Sequence, residues 1–315
     1  MSTLSQDLDQ YLTLRRSLGF ELSSSGRVLR KFVAFVEQER GDHITTQIFL
    51  RWRDAFGHAH RATWAARLGM VRRFAQWLHG LDPRHEVPPQ ALIPGRHRRS
   101  RPYIYSPEEI RRLVSAAAEL PSANGLRRLT YPTLFGLIAV TGLRINEAIA
   151  LDVSDVDLGT GVLTIRHGKL GKARLLPLSE STVAQLTVYA KERDRLLGAR
   201  PTSFFVSDRG KRPTDCAVRY NFAVVCQRIG LRTAQRFHRH GRGPRIHDLR
   251  HTMAVRTLLN WYRTGKDPAE EMIRLTTYLG HASPVHTYWY IEAIPELMEL
   301  AAQRASAALA KEVRV

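Results

Sequence analysis

The sequence has few of the residues that build disulfide-stabilised or membrane-spanning proteins. Its 315 residues include two cysteines, Cys216 and Cys226, which do not form a CxxC pair. Two cysteines are too few for a disulfide scaffold, so we interpret them as small buried side chains in a reducing compartment. The sequence contains no run of about 18 apolar residues that could cross a bilayer. Its start, MSTLSQDLDQ, lacks the basic and apolar regions of a signal peptide. We therefore predict a cytoplasmic protein without a membrane partner.

Acidic residues are also scarce relative to basic ones. Lys and Arg number 48 against 29 Asp and Glu, which gives a formal net charge of +19 and an isoelectric point near 10.7. Such a field attracts polyanions, although a membrane surface or an acidic protein could also respond to it. The composition, with 43% hydrophobic residues, argues against wholesale disorder. We expect a soluble protein of about two domains that binds nucleic acid.

The first part of the chain carries four amphipathic segments. Their apolar residues recur at intervals of three and four, as a helix with one buried face requires. Three of them contain Leu4, Val28 and Ile48, and a candidate N-cap at Thr45 precedes the last of these. The clearest repeat consists of Trp64, Leu68, Val71, Ala75 and Leu78. This pattern predicts an all-helical domain over residues 1–92.

Residues 93–104 lose this periodicity and are rich in proline and arginine. Prolines at positions 94 and 102 enclose Arg96, Arg98, Arg99 and Arg101. This composition favours an extended basic linker, and we place the domain boundary there. A solvated charge run needs no function, but a basic arm between two domains can also follow a phosphate backbone. We predict these four arginines as DNA-binding residues.

The remaining residues, 105–315, have a mixed pattern. The sequence Ser106-Pro107-Glu108-Glu109 predicts a helix start. Two β-prone runs, Val162 to Arg166 and Arg174 to Leu178, predict a hairpin, and further helices are predicted around residues 218–229 and 295–315. The predicted fold class is mainly α with a small β-sheet, α+β, in which an all-helical N-terminal domain precedes a mixed α/β domain.

Three stretches place polar residues where packing does not call for them. In the first, a turn at Thr141-Gly142 brings Arg144 to the start of a helix. Arginine is always charged, and its planar fork of donors suits phosphate oxygens. An arginine here is also well explained as a surface residue or as a partner for Glu147. Another stretch, the last of the three in the sequence, combines His281, which follows a glycine, with Tyr288 and Tyr290. The competing interpretations are a helix cap or packing for the histidine and core packing for the tyrosines.

The second stretch is the predicted helical segment His247-Asp248-Leu249-Arg250-His251. His247 and Arg250 are three residues apart, share a helix face and can meet one ligand. His247 and His251 also have the i, i+4 spacing of a zinc helix. However, the glutamate of the H-E-x-x-H motif is absent, and an arginine between the histidines would repel a cation. We predict no metal site.

In this order and at this spacing, the three stretches resemble the tyrosine recombinase, or phage integrase, family. That family has an arginine in T-G-[LM]-R-x-x-E-x-x-x-L, a lysine in a β-hairpin ahead of R-x-x-P-L, an H-x-L-R-H box, an L-G-H box and a tyrosine nine residues after the last histidine. The matching residues of this sequence are Arg144, Lys169, His247, Arg250, His281 and Tyr290. The resemblance extends to the architecture, a helical, SAM-like core-binding domain followed by a mixed α/β catalytic domain, and favours Xer-like or transposon-associated members.

The resemblance implies a site-specific recombinase or integrase that cleaves and rejoins DNA through a 3′-phosphotyrosine intermediate, without metal, ATP or other cofactor. Tyr290 would be the nucleophile, although Tyr288 is a competitor. Arg144 and Arg250, with His281, would stabilise charge on the phosphate oxygens. His247 is then the candidate base.

A lysine would protonate the departing 5′ oxygen, and Lys169 fits that role, with Lys172 beside it as a DNA-binding residue. The implied partner is double-stranded DNA at specific recombination sites, bound by a homo- or hetero-tetramer that includes other recombinase subunits. Two alternatives stay open: a type IB topoisomerase-like relaxase, and a non-catalytic DNA-binding protein on the same fold.

Overall fold

The computed structural model describes residues 3–95, 101–166, 173–235, 238–280 and 283–312. It divides the chain into two compact units, Met1–Ser100 and Arg101–Val315. Within the described ranges, no helix is both long enough and apolar enough to cross a membrane. Residues 96–100, which hold three of the four predicted linker arginines, lie outside the description, whereas Arg101 is exposed.

The first unit contains four helices: α1 (Leu4–Ser17), α2 (Ser23–Gln38), α3 (Thr46–Ala55) and α4 (Arg61–His79). They confirm the four helices predicted from the apolar repeats. The side chain of Thr45 accepts the backbone N–H of Ile48, so the predicted N-cap is also confirmed. The core is aromatic at its centre, where the rings of Phe32, Trp52 and Trp64 are 5.1 to 5.2 Å from their neighbours.

The second unit contains nine described helices and five short strands. The helices before the sheet are α5 (Pro107–Ala118), α6 (Leu126–Thr141) and α7 (Ile145–Ala150). The later helices are α8 (Glu180–Leu197), α9 (Asp215–Arg228), α10 (Ile246–Arg263), α11 (Pro268–Leu279), α12 (Val285–Ala293) and α13 (Pro295–Glu312). The capping box between Ser106 and Glu109 forms at α5, as predicted. Cys226 is buried, as predicted, but the same prediction is wrong for Cys216, which is exposed in the first turn of α9. Mainly helical structure with a small sheet confirms the predicted fold class.

The strands β1 (Val156–Asp157), β2 (Val162–Ile165) and β3 (Arg174–Pro177) form an antiparallel sheet in that order. A second pair consists of β4 (Thr233–Gln235) and β5 (His238–Arg242). The pairing of Val162 with Pro177 and of Ile165 with Arg174 confirms the predicted hairpin, although each strand is one residue shorter than predicted. Residues 167–172, which include Lys169 and Lys172, lie outside the described residues.

Packing in the second unit brings the ends of α6 and α11 to the start of α10. One buried cluster includes Leu143, Ile149, Leu163 and Leu249, and so joins the sheet to the helices. A second cluster gathers apolar residues from α10 to α13 and contains Tyr290. The three polar stretches identified in the sequence therefore meet between these two clusters.

Candidate active site

A left-handed turn brings Arg144 into the site. Helix α6 ends at Gly142, whose φ is +65°, a conformation that favours glycine. A Cβ atom at this position would lie 3.0 Å from Leu279 and 3.2 Å from the sulfur of Met253, so the close approach of α10 and α11 also excludes a side chain. Arg144 then stands at the N-cap of α7, with its side chain partly exposed.

Glu147 is a buried carboxylate that binds two arginines. Its Oε1 accepts from Nη1 of Arg144 at 2.7 Å, and its Oε2 accepts from Nη2 of Arg174 at 2.9 Å. Burial acts to raise the pKa of Glu147, but the hydrogen bonds from Arg174 and from the backbone N–H of Arg144 outweigh it and lower that pKa. The expected pairing of Arg144 with Glu147 is therefore present, and it leaves Arg144 inside the site rather than on the surface.

The end of α11 binds the same two arginines through main-chain carbonyls. Nη2 of Arg144 donates to the carbonyl oxygen of Gly280 at 2.8 Å, and Nε of Arg174 donates to that of Tyr278 at 3.0 Å. Gly280 has a φ of +63°, and a Cβ there would lie 2.8 Å from the Arg174 guanidinium. The next residue, His281, lies outside the described residues, as does residue 282.

Arg250 is almost fully buried on α10. Its Nη1 donates to the carbonyl oxygen of Gly142 and its Nη2 to that of Leu279, each at 2.6 Å. Burial, followed by the positive charge of Arg144, lowers the pKa of Arg250 to about 10. The side chain therefore stays charged at neutral pH. Two guanidinium groups with fixed orientations thus meet at the end of α11, which is an arrangement suited to an anion.

Two histidines of α10 occupy the same face as Arg250. The His247 ring is exposed on one side, yet burial on its other sides, followed by the charge of Arg250, lowers its pKa to about 4. The ring of His251 lies edge-on to it, with 4.6 Å between ring centroids. Burial also lowers the pKa of His251, to about 3. Both rings are therefore neutral at pH 7.

Tyr290 is buried in α12, and its hydroxyl oxygen lies 2.8 Å from Nδ1 of His251. Tyr288 is two residues earlier, which corresponds to a rotation of about 200° around the helix, so its side chain points away from that of Tyr290. It is 46% exposed. Of the two tyrosines, only Tyr290 is buried, and its hydroxyl contacts His251, the residue that follows Arg250 on α10.

The structure brings together four of the residues selected from the sequence: Arg144, His247, Arg250 and Tyr290. Three further members of the site were not selected, namely Glu147, Arg174 and His251. The sequence does contain a signal for all three, since they stand in the motifs quoted for the family, as the E of T-G-L-R-I-N-E, the R ahead of P-L and the last H of H-D-L-R-H. No spacing rule indicates that His251 contacts Tyr290. Among the described residues, no three His, Cys, Asp or Glu side chains converge as metal ligands.

The family model described as the phage integrase family matches residues 104–296. The chain is 43% identical over 309 residues to y4rB of Sinorhizobium fredii (strain NBRC 101917 / NGR234), which is named as an integrase/recombinase, with 96% of this chain and 97% of the relative covered. It is 27% identical over 329 residues to tyrosine recombinase XerC of Herpetosiphon aurantiacus, covering 98% of this chain and 99% of the relative.

Two solved structures share the fold at low sequence identity. The integrase of the Tn1549 transposon, in complex with transposon right end DNA, has a TM-score of 0.64 and 15% identity and covers 92% of this chain and 94% of its own. The XerH site-specific recombinase bound to its difH substrate has a TM-score of 0.61 and 20% identity and covers 96% of this chain and 85% of its own.

Proposed function

Because the chain belongs to the phage integrase family, and is thereby a tyrosine-type site-specific recombinase, we propose that it cleaves and rejoins DNA through a covalent bond between Tyr290 and a 3′ phosphate. The observation that carries this proposal is the convergence of Arg144, Arg250 and Tyr290. The two guanidinium groups bind consecutive carbonyls at the end of α11, those of Gly280 and Leu279. The Tyr290 hydroxyl contacts His251, the residue after Arg250 on α10.

The role of the two arginines follows from where negative charge develops on the phosphate during the reaction. Attack of the Tyr290 oxygen on phosphorus concentrates negative charge on the non-bridging oxygens. Arg144 and Arg250 are held by carbonyl oxygens, so their remaining N–H groups are oriented before the substrate arrives. Their charge also favours ionisation of a tyrosine, whose unperturbed pKa is about 10.

Two proton transfers complete the step. The tyrosine proton must leave, and we assign His247 as the base, because its side chain is exposed and the negative charge of a bound phosphate raises the pKa of a nearby histidine. The departing 5′ oxygen takes a proton from Lys169, and His281 adds a donor to the phosphate. One phosphodiester is exchanged for another of similar energy, so neither ATP nor a metal ion is required by this scheme.

We propose double-stranded DNA at specific recombination sites as the substrate, with arginines 96, 98, 99 and 101 and Lys172 contacting its phosphates. The net charge of +19 supports a polyanionic partner. Lambda integrase, which shares the fold, has been solved as a tetramer bound to a Holliday junction, with a TM-score of 0.59 and 17% identity. On that precedent we propose a tetramer of this chain, alone or with sister recombinases.

A suicide substrate tests the covalent step. On DNA nicked near the cleavage position, loss of a short fragment prevents rejoining, and the wild type should accumulate an adduct that survives denaturant. Tyr290→Phe should form none while binding DNA nearly as well, since it loses a single hydroxyl. Tyr288→Phe is the matched control on the same helix, exposed rather than buried, and should keep the adduct.

The other outcomes separate the alternatives. Binding of DNA without any adduct would favour a non-catalytic DNA-binding protein. An adduct with relaxation of supercoils but no exchange between two sites would favour a type IB topoisomerase-like enzyme. Cleavage that is lost in EDTA and restored by Mg²⁺ would contradict the phosphotyrosine scheme in favour of a metal-assisted nuclease.

A further inference from the structure

His251 and Tyr290 are joined by a contact that the proposed catalytic set does not explain. The Nδ1 atom of His251 lies 2.8 Å from the Tyr290 hydroxyl oxygen, which is hydrogen-bonding distance, and the two residues are 39 positions apart in the chain. The ring of Trp289 packs against both, with centroid distances of 5.7 Å to His251 and 5.4 Å to Tyr290. The hydroxyl is therefore held at a defined point of the site.

The contact constrains the direction of the reacting oxygen. A neutral imidazole has one nitrogen that donates and one that accepts, so Nδ1 either accepts the Tyr290 proton or donates to its oxygen. In both tautomers the phenol is prevented from turning its oxygen away from the pocket. We propose that His251 is the positioning residue of the nucleophile, which holds the Tyr290 hydroxyl in the direction of attack. This inference rests on the proposed role of Tyr290.

The surroundings of His251 favour positioning over proton removal. Burial, followed by the proximity of His247, lowers the pKa of His251 to about 3, and Arg245 and Arg250 act in the same direction against the opposing charge of Asp248. A tyrosine proton has an unperturbed pKa of about 10, so its transfer to this ring would be strongly unfavourable. The half-buried ring of His251 is also less open than that of His247 to a phosphate that would raise its pKa. A group that binds the hydroxyl without becoming charged is suited to holding it in place.

The two histidines of α10 thus have separate tasks. His247 has a ring that is open to solvent on one side and can reach an approaching phosphate or its proton. His251 is one turn further along the helix, half-buried, and faces Tyr290. The edge-on contact between the two rings keeps them in a fixed relation.

Two substitutions at His251 separate its hydrogen bond from its packing. In His251→Asn, the amide group occupies the position of Nδ1 and can accept or donate a hydrogen bond, but the ring is lost. In His251→Phe, the ring remains against Trp289 and Tyr290, but the hydrogen bond is lost. The rate of adduct formation is measured on the suicide substrate at saturating DNA, together with the affinity for that DNA. Asn260→Ala, an exposed change on the same helix, is the control.

We expect His251→Phe to form the adduct about 10- to 100-fold more slowly, since misplacing a reacting atom by about 1 Å has costs of that order. His251→Asn should stay within about 5-fold of the wild type if orientation is what matters. DNA affinity should be unchanged in both variants. Unfolding temperatures are recorded, so that a loss of rate can be compared with any loss of stability.

Three results would overturn the assignment. A wild-type rate in His251→Phe would show that the hydrogen bond has no role. A faster rate in His251→Phe than in His251→Asn would assign the effect to ring packing. Equal losses in both variants would point to proton transfer, which an amide cannot perform. Failure of the wild type itself to form an adduct would instead reject the proposed function, so the two failures are distinguishable.

Discussion

Exposed ion pairs occur in both units of the chain, but the second unit also buries arginine and carboxylate side chains. In the first unit, ion pairs lie in solvent: Arg30 and Asp9 are 3.0 Å apart and are 53% and 68% exposed. In the second unit, Arg250 and Glu147 are both nearly excluded from water and make several hydrogen bonds each. Exposed pairs contribute little to stability but leave charge available to a polyanion, whereas buried charges have a fixed direction. The buried, oriented charges thus lie in the second unit, which also holds the residues of the proposed chemistry.

Burying charge is costly unless each group has a partner. Arg250 has two carbonyl acceptors, and Glu147 has donors from Arg144 and Arg174. These partners belong to three separate segments of the chain, the turn between α6 and α7, strand β3 and the end of α11. The site is thus assembled by the tertiary fold, and loss of one charge should disturb several segments together.

Among substitutions of the buried charged residues, Arg250→Ala should have the largest effect on adduct formation and on stability. Removing one donor of this kind typically lowers a rate by about 10²- to 10³-fold, and each carbonyl left without its donor costs about 1 to 3 kcal/mol of stability. Adduct formation and urea unfolding measure the two effects. Arg256→Ala is the matched control on α10, since Arg256 also donates to a carbonyl, that of Tyr105, at 2.8 Å. It should lose stability and keep the chemistry; equal slowing of both variants would remove the distinction.

Glu147→Gln should have a smaller effect, because it keeps the shape of the side chain and removes its charge. We expect adduct formation to fall by about 10-fold as Arg144 loses its orientation, with little change in DNA affinity. A wild-type rate would show that the carboxylate does not position Arg144.

The same variant should alter the acid sensitivity of the fold. The pKa of Glu147 is lower in the folded state than in the unfolded chain, so its contribution to stability is present above the unfolded-state pKa and is lost as pH falls through the folded-state pKa. Stability of the wild type should thus decrease more steeply than that of Glu147→Gln below about pH 4.3, the unperturbed value for glutamate. Unfolding midpoints recorded from neutral to acidic pH measure this difference, and parallel curves would contradict it.

Neutralising the linker arginines should weaken DNA binding rather than slow adduct formation on bound DNA. Replacing Arg96, Arg98, Arg99 and Arg101 with alanine should reduce the affinity for cognate and unrelated DNA alike, because phosphate contacts carry no sequence information. The slope of log affinity against log salt should become shallower by about 0.9 for each phosphate that the variant no longer neutralises. An unchanged slope, or a weakening confined to cognate DNA, would contradict the assignment of these residues to the DNA backbone.

The smallest effect is expected at the exposed pair of the first unit. Arg30→Ala should change the free energy of unfolding by about 0 to 1 kcal/mol, the usual range for an exposed ion pair. A loss of several kcal/mol would show that exposed charge in this unit also holds the fold together, and the contrast between the two units would fail.

Local signals in the sequence were sufficient for most of the fold. The capping box at Ser106, the N-cap at Thr45 and the hairpin of β2 and β3 involve residues no further apart than Val162 and Pro177, so short-range rules apply to them. The contact between His251 and Tyr290 depends on how α12 packs on α10, and no periodicity encodes that angle. The position of Arg174 beside Glu147 likewise depends on the placement of the sheet against α7.

The choice of nucleophile is the central claim, and mapping the protein–DNA adduct tests it most directly. The wild type is trapped on a nicked suicide substrate and digested, and the peptide that carries DNA is sequenced by mass spectrometry. The burial of Tyr290 beside Arg250 and His251, and the outward direction of Tyr288, predict DNA on Tyr290 alone. DNA recovered on Tyr288, or on any other residue, would contradict the account.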